Sequence, residues 1–266
     1  MRQDQGTPDD QRGVDGTWLT AGRPNPSASL SLFCLPYAGG GASAFRAWAR
    51  ELPAAIDVCA VQFPGRETRW LEAPFERMRP LTSALADVLA PRLARPYALF
   101  GHSMGALVAF ELTRELRRRR LGGPRLLVAS AHRAPDLPSP TPPLRDLPDE
   151  QLVEQMGRIQ GSSDALLQDA DVRACMLPLI RADFAVCETY VYEPDAPLEC
   201  PILAMGGASD PHVSRPELEA WREHTRAEFT LRLLHGGHFY LHTARSALLR
   251  HLGTELARPH GSPELS

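Results

Sequence analysis

The chain has 266 residues, 43% hydrophobic and 23% charged, which suits one large α/β domain with a sizeable core. A formal net charge of −3 removes the electrostatic reason to expect nucleic acid or an anionic membrane as a partner, and all 29 basic residues are arginine. No apolar run approaches the roughly 20 residues that span a bilayer, so a cytoplasmic protein with no membrane contact is expected.

Met1 to about Ser27 is rich in Asp, Gln, Gly and Pro and reads as a flexible segment without the apolar stretch of a secretory signal; the tail from residue 257 to 266 reads the same way. The first strand is "LSLFCLP" from Leu30, leading into the loop "LPYAGGGAS" and a helical pattern from Ser43 to Leu52. "IDVCAVQFPG" from Ile56 is the second strand, and Met78 to Leu93 the next helix. A third strand starts at Tyr97 and ends on Gly101-His102-Ser103-Met104-Gly105, after which Met104 to Leu121 is helical. "RRRR", Arg117 to Arg120, ends that helix, where positive charge meets the negative end of the helix dipole.

"RLLVASAHRAP" from Arg125 is a fourth strand, and then the rhythm breaks. Leu137 to Tyr192 holds a Pro-rich entry and amphipathic segments with no convincing strand; Asp149 or a neighbour suits a cap for one helix, and Asp169 and Asp171 open another. An insertion of this kind fits a helical lid over the sheet's C-terminal edge. Leu152, Met156, Ile159, Leu166, Leu167, Met176, Leu179 and Phe184 are its candidates for lining an apolar chamber. The alternation resumes with "CPILAMGG" from Cys200, a helix from Pro216 to His224, "FTLRLLHGG" from Phe229, and a helix from Leu241 to Leu256. Strands alternating with helices predict a mainly parallel sheet covered on both faces.

The chemistry sits on the loops. G-x-S-x-G between a strand and a helix projects a hydroxyl from a strained turn, which makes Ser103 the candidate nucleophile. A serine needs a base to take its proton and a carboxylate to hold the base's tautomer, in the chain order Ser, acid, His. His238 in "HGGHF" is the candidate base with His235 as the fallback, and Asp210 after "PILAM" is the candidate acid with Asp136 as its rival. His102 reads as structural. The oxyanion requires two backbone donors, from Met104 and from the loop after the first strand, where Ala38 or a neighbour serves. The five cysteines show no C-x-x-C pair and read as buried reduced thiols, so a metal site is not expected.

These segments together resemble the type II thioesterases of the α/β-hydrolase superfamily, the free-standing editing enzymes of polyketide and nonribosomal peptide synthases. The resemblance rests on "LPYAGGGAS", "VQFPGRETR", "GHSMGA", "LPLIRADFAVCETYVY", "CPILAMGGASD" and "GGHFYL". It implies Ser103 as nucleophile, Asp210 as acid, His238 as base, and Met104 and Ala38 as oxyanion donors. It also implies hydrolysis, with no metal or bound cofactor, of acyl thioesters carried on the phosphopantetheine arm of an acyl or peptidyl carrier protein, with Arg66, Arg69 or Arg77 steering that acidic partner; a monomer is expected. A carboxylesterase or lipase, an acyltransferase, and a carrier-binding module without catalysis are the competing readings.

Overall fold

The computed structural model describes residues 18–21, 25–160 and 169–258. Within them, seven strands form one sheet: β1 (Leu19–Ala21), β2 (Leu30–Leu35), β3 (Ile56–Val61), β4 (Tyr97–His102), β5 (Leu127–Ser130), β6 (Ile202–Gly207) and β7 (Phe229–Leu234). Their spatial order is β1-β3-β2-β4-β5-β6-β7, with β1 antiparallel to β3 and the other neighbours parallel. The helices are α1 (Trp48–Glu51), α2 (Met78–Leu89), α3 (Met104–Arg118), α4 (Asp149–Gln160), α5 (Ala170–Glu188), α6 (Arg215–Glu219), α7 (Tyr240–Thr243) and α8 (Arg245–Ala257).

The strands are apolar at nearly every position because both faces are covered. Along β2, Phe33 and Leu35 enter one core with Leu85 of α2 and Leu107 of α3. Leu30, Leu32 and Cys34 enter the other with Phe45, Trp48 and Leu252 of α8. This is the period of two that a pleated strand imposes. Leu107, Leu112 and Leu116 of α3 are at most 2% exposed, and each such burial is worth about 1.5–3 kcal/mol. Because α3 follows β4 directly, this packing fixes the turn that carries Ser103.

All six strands read from the sequence are present, and, among the described residues, the insertion's helices α4 and α5 fall between β5 and β6. Several helices divide where one was expected. The stretch from Ser43 to Leu52 is a 3-10 turn at Ala42–Phe45 followed by α1, and α7 is separated from α8 at Ala244. Asp169 caps α5 as expected, accepting from the N–H groups of Asp171 and Val172.

The first 27 residues need a correction. Leu19–Ala21 pairs with Cys59–Val61 at the sheet edge, and the Trp18 ring, 6% exposed, lies 4.1 Å beneath the Arg69 guanidinium. Three residues and one tryptophan give too short a pattern to read as a strand. Expectations for residues 1–17 and 259–266 lie outside the described residues, as do Leu166 and Leu167. The thiols also differ in part: Cys34, Cys59 and Cys200 are buried but Cys175 is exposed. The arginine run is largely neutralised, with Arg117 paired to Asp195, Arg118 to Glu115, and Arg119 to Asp87 and Glu115.

Candidate active site

Ser103 stands between β4 and α3 with φ 53° and ψ −120°, a left-handed conformation that costs a non-glycine residue on the order of 1–3 kcal/mol. Its N–H donates to Ser130 O of β5 at 2.7 Å, which helps hold the turn. The flanking glycines are required by close approach. A Cβ on Gly101 would stand 2.0 Å from Gly105 O, and one on Gly105 would stand 2.3 Å from Leu35 O.

The loops after β6 and β7 bring the other two groups to the hydroxyl. Gly207 pairs with Leu234, so the two strands end side by side and their loops leave from the same edge. His238, 7% exposed, places Nε2 3.1 Å from Ser103 Oγ and Nδ1 2.9 Å from Asp210 Oδ2. The Asp210 side chain is fully buried, and its Oδ1 accepts the N–H of His212 at 2.8 Å. An ionised carboxylate only accepts, so the imidazole proton sits on Nδ1 and Nε2 is left to accept from the serine. This is the orientation in which a histidine takes a proton from a hydroxyl.

Ala38 and Met104 line the same cavity as Ser103. Ala38 follows β2, the strand hydrogen-bonded to β4, which puts its loop beside the serine turn. From beneath, Gln62 Oε1 accepts the Ala42 N–H at 2.8 Å and Glu67 accepts from the Ser43 hydroxyl at 2.5 Å.

The remaining candidates fall elsewhere. Asp136 meets a different histidine, His224 Nε2, at 2.7 Å. His235 is exposed and takes no part. His102 is fully buried with Nδ1 2.8 Å from Ser130 Oγ, which in turn lies 2.6 Å from the Tyr240 hydroxyl; burial holds its pKa well below the usual imidazole value. Arg66 and Arg69, expected at the entrance, are 4% and 6% exposed. They are bound to Asp183 and Glu72, because the Gly65 turn folds the first inward and Trp18 covers the second. Arg77 alone of the three is exposed.

Above Ser103 lies a cavity of about 630 Å³. Met156 and Ile159 of α4 and Phe184 of α5 line it, as do Tyr190 and Tyr192 beyond α5. Leu152 instead forms the insertion's own core with Met156, Leu177 and Ile180, and Met176 packs against that cluster. Leu179 rests near Gly65 and anchors α5 to the turn after β3. His132 also lines the cavity, its pKa pushed down to about 4 by burial and then by the Arg133 charge. Sequence reasoning passed over His132, and also Asp183, whose only signal was a charge on the apolar side of a helix.

The profile of the family described as thioesterase domain matches residues 31–256. The chain belongs to the thioesterase family. It is 41% identical over 239 residues to the gramicidin S biosynthesis protein GrsT of Aneurinibacillus migulanus, covering 90% of this chain and 93% of that one. Among solved structures it is similar to RedJ, a thioesterase from the prodiginine biosynthetic pathway in Streptomyces coelicolor, at 44% identity and a TM-score of 0.83 over 89% of this chain and 94% of that one. It is also similar to the type II thioesterase BorB from the borrelidin biosynthetic cluster, at 40% identity and a TM-score of 0.83 over 90% and 98% of the two chains. The thioesterase therefore has the α/β-hydrolase fold, with a helical insertion over the sheet edge.

Proposed function

We propose that this thioesterase removes acyl groups from the phosphopantetheine arm of acyl or peptidyl carrier proteins, editing aberrant or stalled chains in polyketide or nonribosomal peptide assembly. Ser103 is the nucleophile, His238 the base, Asp210 its orienting acid, and the N–H groups of Met104 and Ala38 are the oxyanion donors. The observation that carries the reading is the continuous hydrogen-bonded chain from Ser103 through His238 to buried Asp210, set at the base of an acyl-sized cavity. The relatives from gramicidin, prodiginine and borrelidin biosynthesis support the substrate class.

In this mechanism Ser103 Oγ attacks the thioester carbonyl while His238 Nε2 takes its proton. The carbonyl oxygen becomes an oxyanion facing the two backbone donors, whose geometry is set before the reaction and costs no reorganisation during it. Collapse expels the pantetheine thiolate, which receives the proton from His238, and leaves an ester on Ser103. Water, deprotonated by the same histidine, then attacks the ester, and the serine departs with that proton as the free acid is released. Asp210 stabilises the imidazolium formed in each half and does not itself become protonated.

Hydrolysis rates for one acyl group on a carrier protein, on N-acetylcysteamine and on a simple alcohol test this directly. The carrier thioester is expected to be the best substrate, because part of its binding energy comes from protein contacts, and the oxygen ester the poorest. Ser103→Ala is expected to abolish all three. Equal rates on thioester and oxygen ester would make the protein a general esterase, and transfer to an added amine or alcohol would make it an acyltransferase.

A further inference from the structure

Arg66 and Asp183 form a buried ion pair, 4% and 3% exposed, with Arg66 Nη1 2.8 Å from Asp183 Oδ2 and Nη2 2.8 Å from Oδ1. Neither group serves only the other. Asp183 Oδ2 also accepts the N–H of Gly39 at 2.7 Å, and Arg66 Nη1 also donates to Gly40 O at 3.0 Å. The pair therefore holds the N–H of the Ala38–Gly39 peptide and, two peptides on, the carbonyl of the Gly40–Gly41 peptide. Gly39 is held at φ 74°, and Ile180, one turn before Asp183 on α5, stands so close that a Cβ on Gly39 would meet its Cγ1 at 3.3 Å. The guanidinium is anchored in turn: its Nε and Nη2 reach Pro64 O, each at 3.3 Å, and Arg66 O accepts from Gln62 Nε2 at 2.8 Å.

From this arrangement we propose that Arg66 and Asp183 are positioning residues for the oxyanion loop, and that α5 is thereby part of the catalytic framework as well as a wall of the acyl cavity. The physical reason is directional. A backbone N–H stabilises the oxyanion only if its peptide plane is fixed. The Ala38 N–H belongs to the Tyr37–Ala38 peptide, whose carbonyl accepts the Gly40 N–H at 2.9 Å, so its plane follows Gly39 and Gly40, which are free to turn unless something holds them. A bidentate guanidinium–carboxylate pair has fixed fork geometry and transmits that rigidity to the carbonyl and N–H it binds. Because the carboxylate comes from the insertion and the guanidinium from the turn after β3, withdrawing α5 from the sheet edge removes the acceptor of the Gly39 N–H. The oxyanion donors are then aligned only while the insertion is seated. This inference rests on the reading of Ser103 and Ala38 given above.

The test uses Asp183→Asn and the double variant Arg66→Met/Asp183→Leu, which removes both charges together and leaves no buried charge uncompensated. Each is compared with the wild type and Ser103→Ala for kcat and KM on acyl-N-acetylcysteamine, and for affinity toward two analogues that cannot be hydrolysed. One analogue is an alkyl trifluoromethyl ketone, which adds Ser103 Oγ and places an oxyanion in the hole. The other is the matching thioether, which has no carbonyl to attack. A misaligned donor is expected to lower kcat in the double variant on the order of 10²-fold, with KM nearly unchanged. Ketone affinity should fall in parallel and thioether affinity should hold. Asp183→Asn, which retains a side-chain oxygen for Gly39, should lie between the two. Loss of folded protein alone would reduce the concentration of active sites and leave both affinities of the remainder unchanged, which would overturn the proposal. Wild-type ketone affinity and kcat retained in both variants would also overturn it. If the wild type itself bound the ketone no more tightly than the thioether, or if Ser103→Ala stayed active, the underlying reading of the site would fail instead.

Discussion

His238 with Asp210 and His224 with Asp136 are the same pair of residue types, joined at 2.9 and 2.7 Å, yet they are wired through opposite ring nitrogens. In the first pair the carboxylate takes Nδ1 and leaves Nε2 facing Ser103; in the second the carboxylate takes Nε2, and the ring packs among Phe110, Tyr192 and Trp221. Burial differs as well. The Asp210 side chain is fully enclosed and also accepts a backbone N–H, whereas that of Asp136 is 43% exposed. The difference teaches that sheet register decides which histidine–carboxylate pair reaches the Ser103 hydroxyl. Asp210 leaves β6 beside the loop of β7, while Asp136 leaves β5, one strand further from His238.

The comparison breaks most sharply on substitution of the two acids. Asp210→Asn, by removing the orienting charge, is expected to lower kcat on the order of 10⁴-fold, measured by single-turnover hydrolysis of an acyl thioester. If Asp136→Asn gave the larger loss, the acid would come from the β5 end and the assignment of the two pairs would be reversed.

His132 stands between the two pairs. Its carbonyl accepts from Trp221, which packs on His224, and it lines the same cavity as His238. The unfolded chain binds a proton there near pH 6.5, whereas the folded state does so only at about 4. The unfolded state thus holds more protons between those values, so stability is intact above about pH 6.5 and falls as the pH drops. At pH 5 the loss from this group is about 2 kcal/mol. Urea midpoints at pH 7 and pH 5 should show it, with a shallower decline in His132→Gln; an unchanged decline would place the responsible group elsewhere.

A smaller effect is expected from the wall above Ser103. Met156→Trp should cut kcat/KM for long acyl chains about tenfold or more while sparing acetyl, because only a long chain reaches α4. Equal losses at all lengths would mean damaged folding and not a filled chamber. Smallest of all is the effect of Asp136→Asn on turnover. Its half-exposed contact with His224 should cost no more than about 1 kcal/mol of stability, read from the thermal midpoint, with kcat near that of the wild type.

The legible parts of the molecule were those governed by local rules. β4, the Ser103 turn and α3 are contiguous in sequence, and the close contact of Gly101 with Gly105 is a local steric demand, so one short motif carries them. The meeting of Asp210 and His238 beside Ser103 followed from strand ends and chain order. Arg66 and Asp183 are 117 residues apart, and no local pattern reveals that a turn arginine and a helix aspartate will meet beneath a glycine loop. An exposed role at the entrance was therefore the natural reading of Arg66, and burial corrected it. Likewise β1 is only three residues long, and its place beside β3 is set by the tertiary packing of Trp18 and Arg69.

The central claim, that the hydroxyl activated by His238 and Asp210 performs the chemistry, is tested most directly with an alkyl fluorophosphonate and peptide mass spectrometry. The account predicts one phosphonyl group per chain, on Ser103, with activity lost in step with labelling and no phosphonyl group taken up by Ser103→Ala. Full hydrolytic activity after Ser103 is modified, or inactivation with the label on another residue, would contradict it.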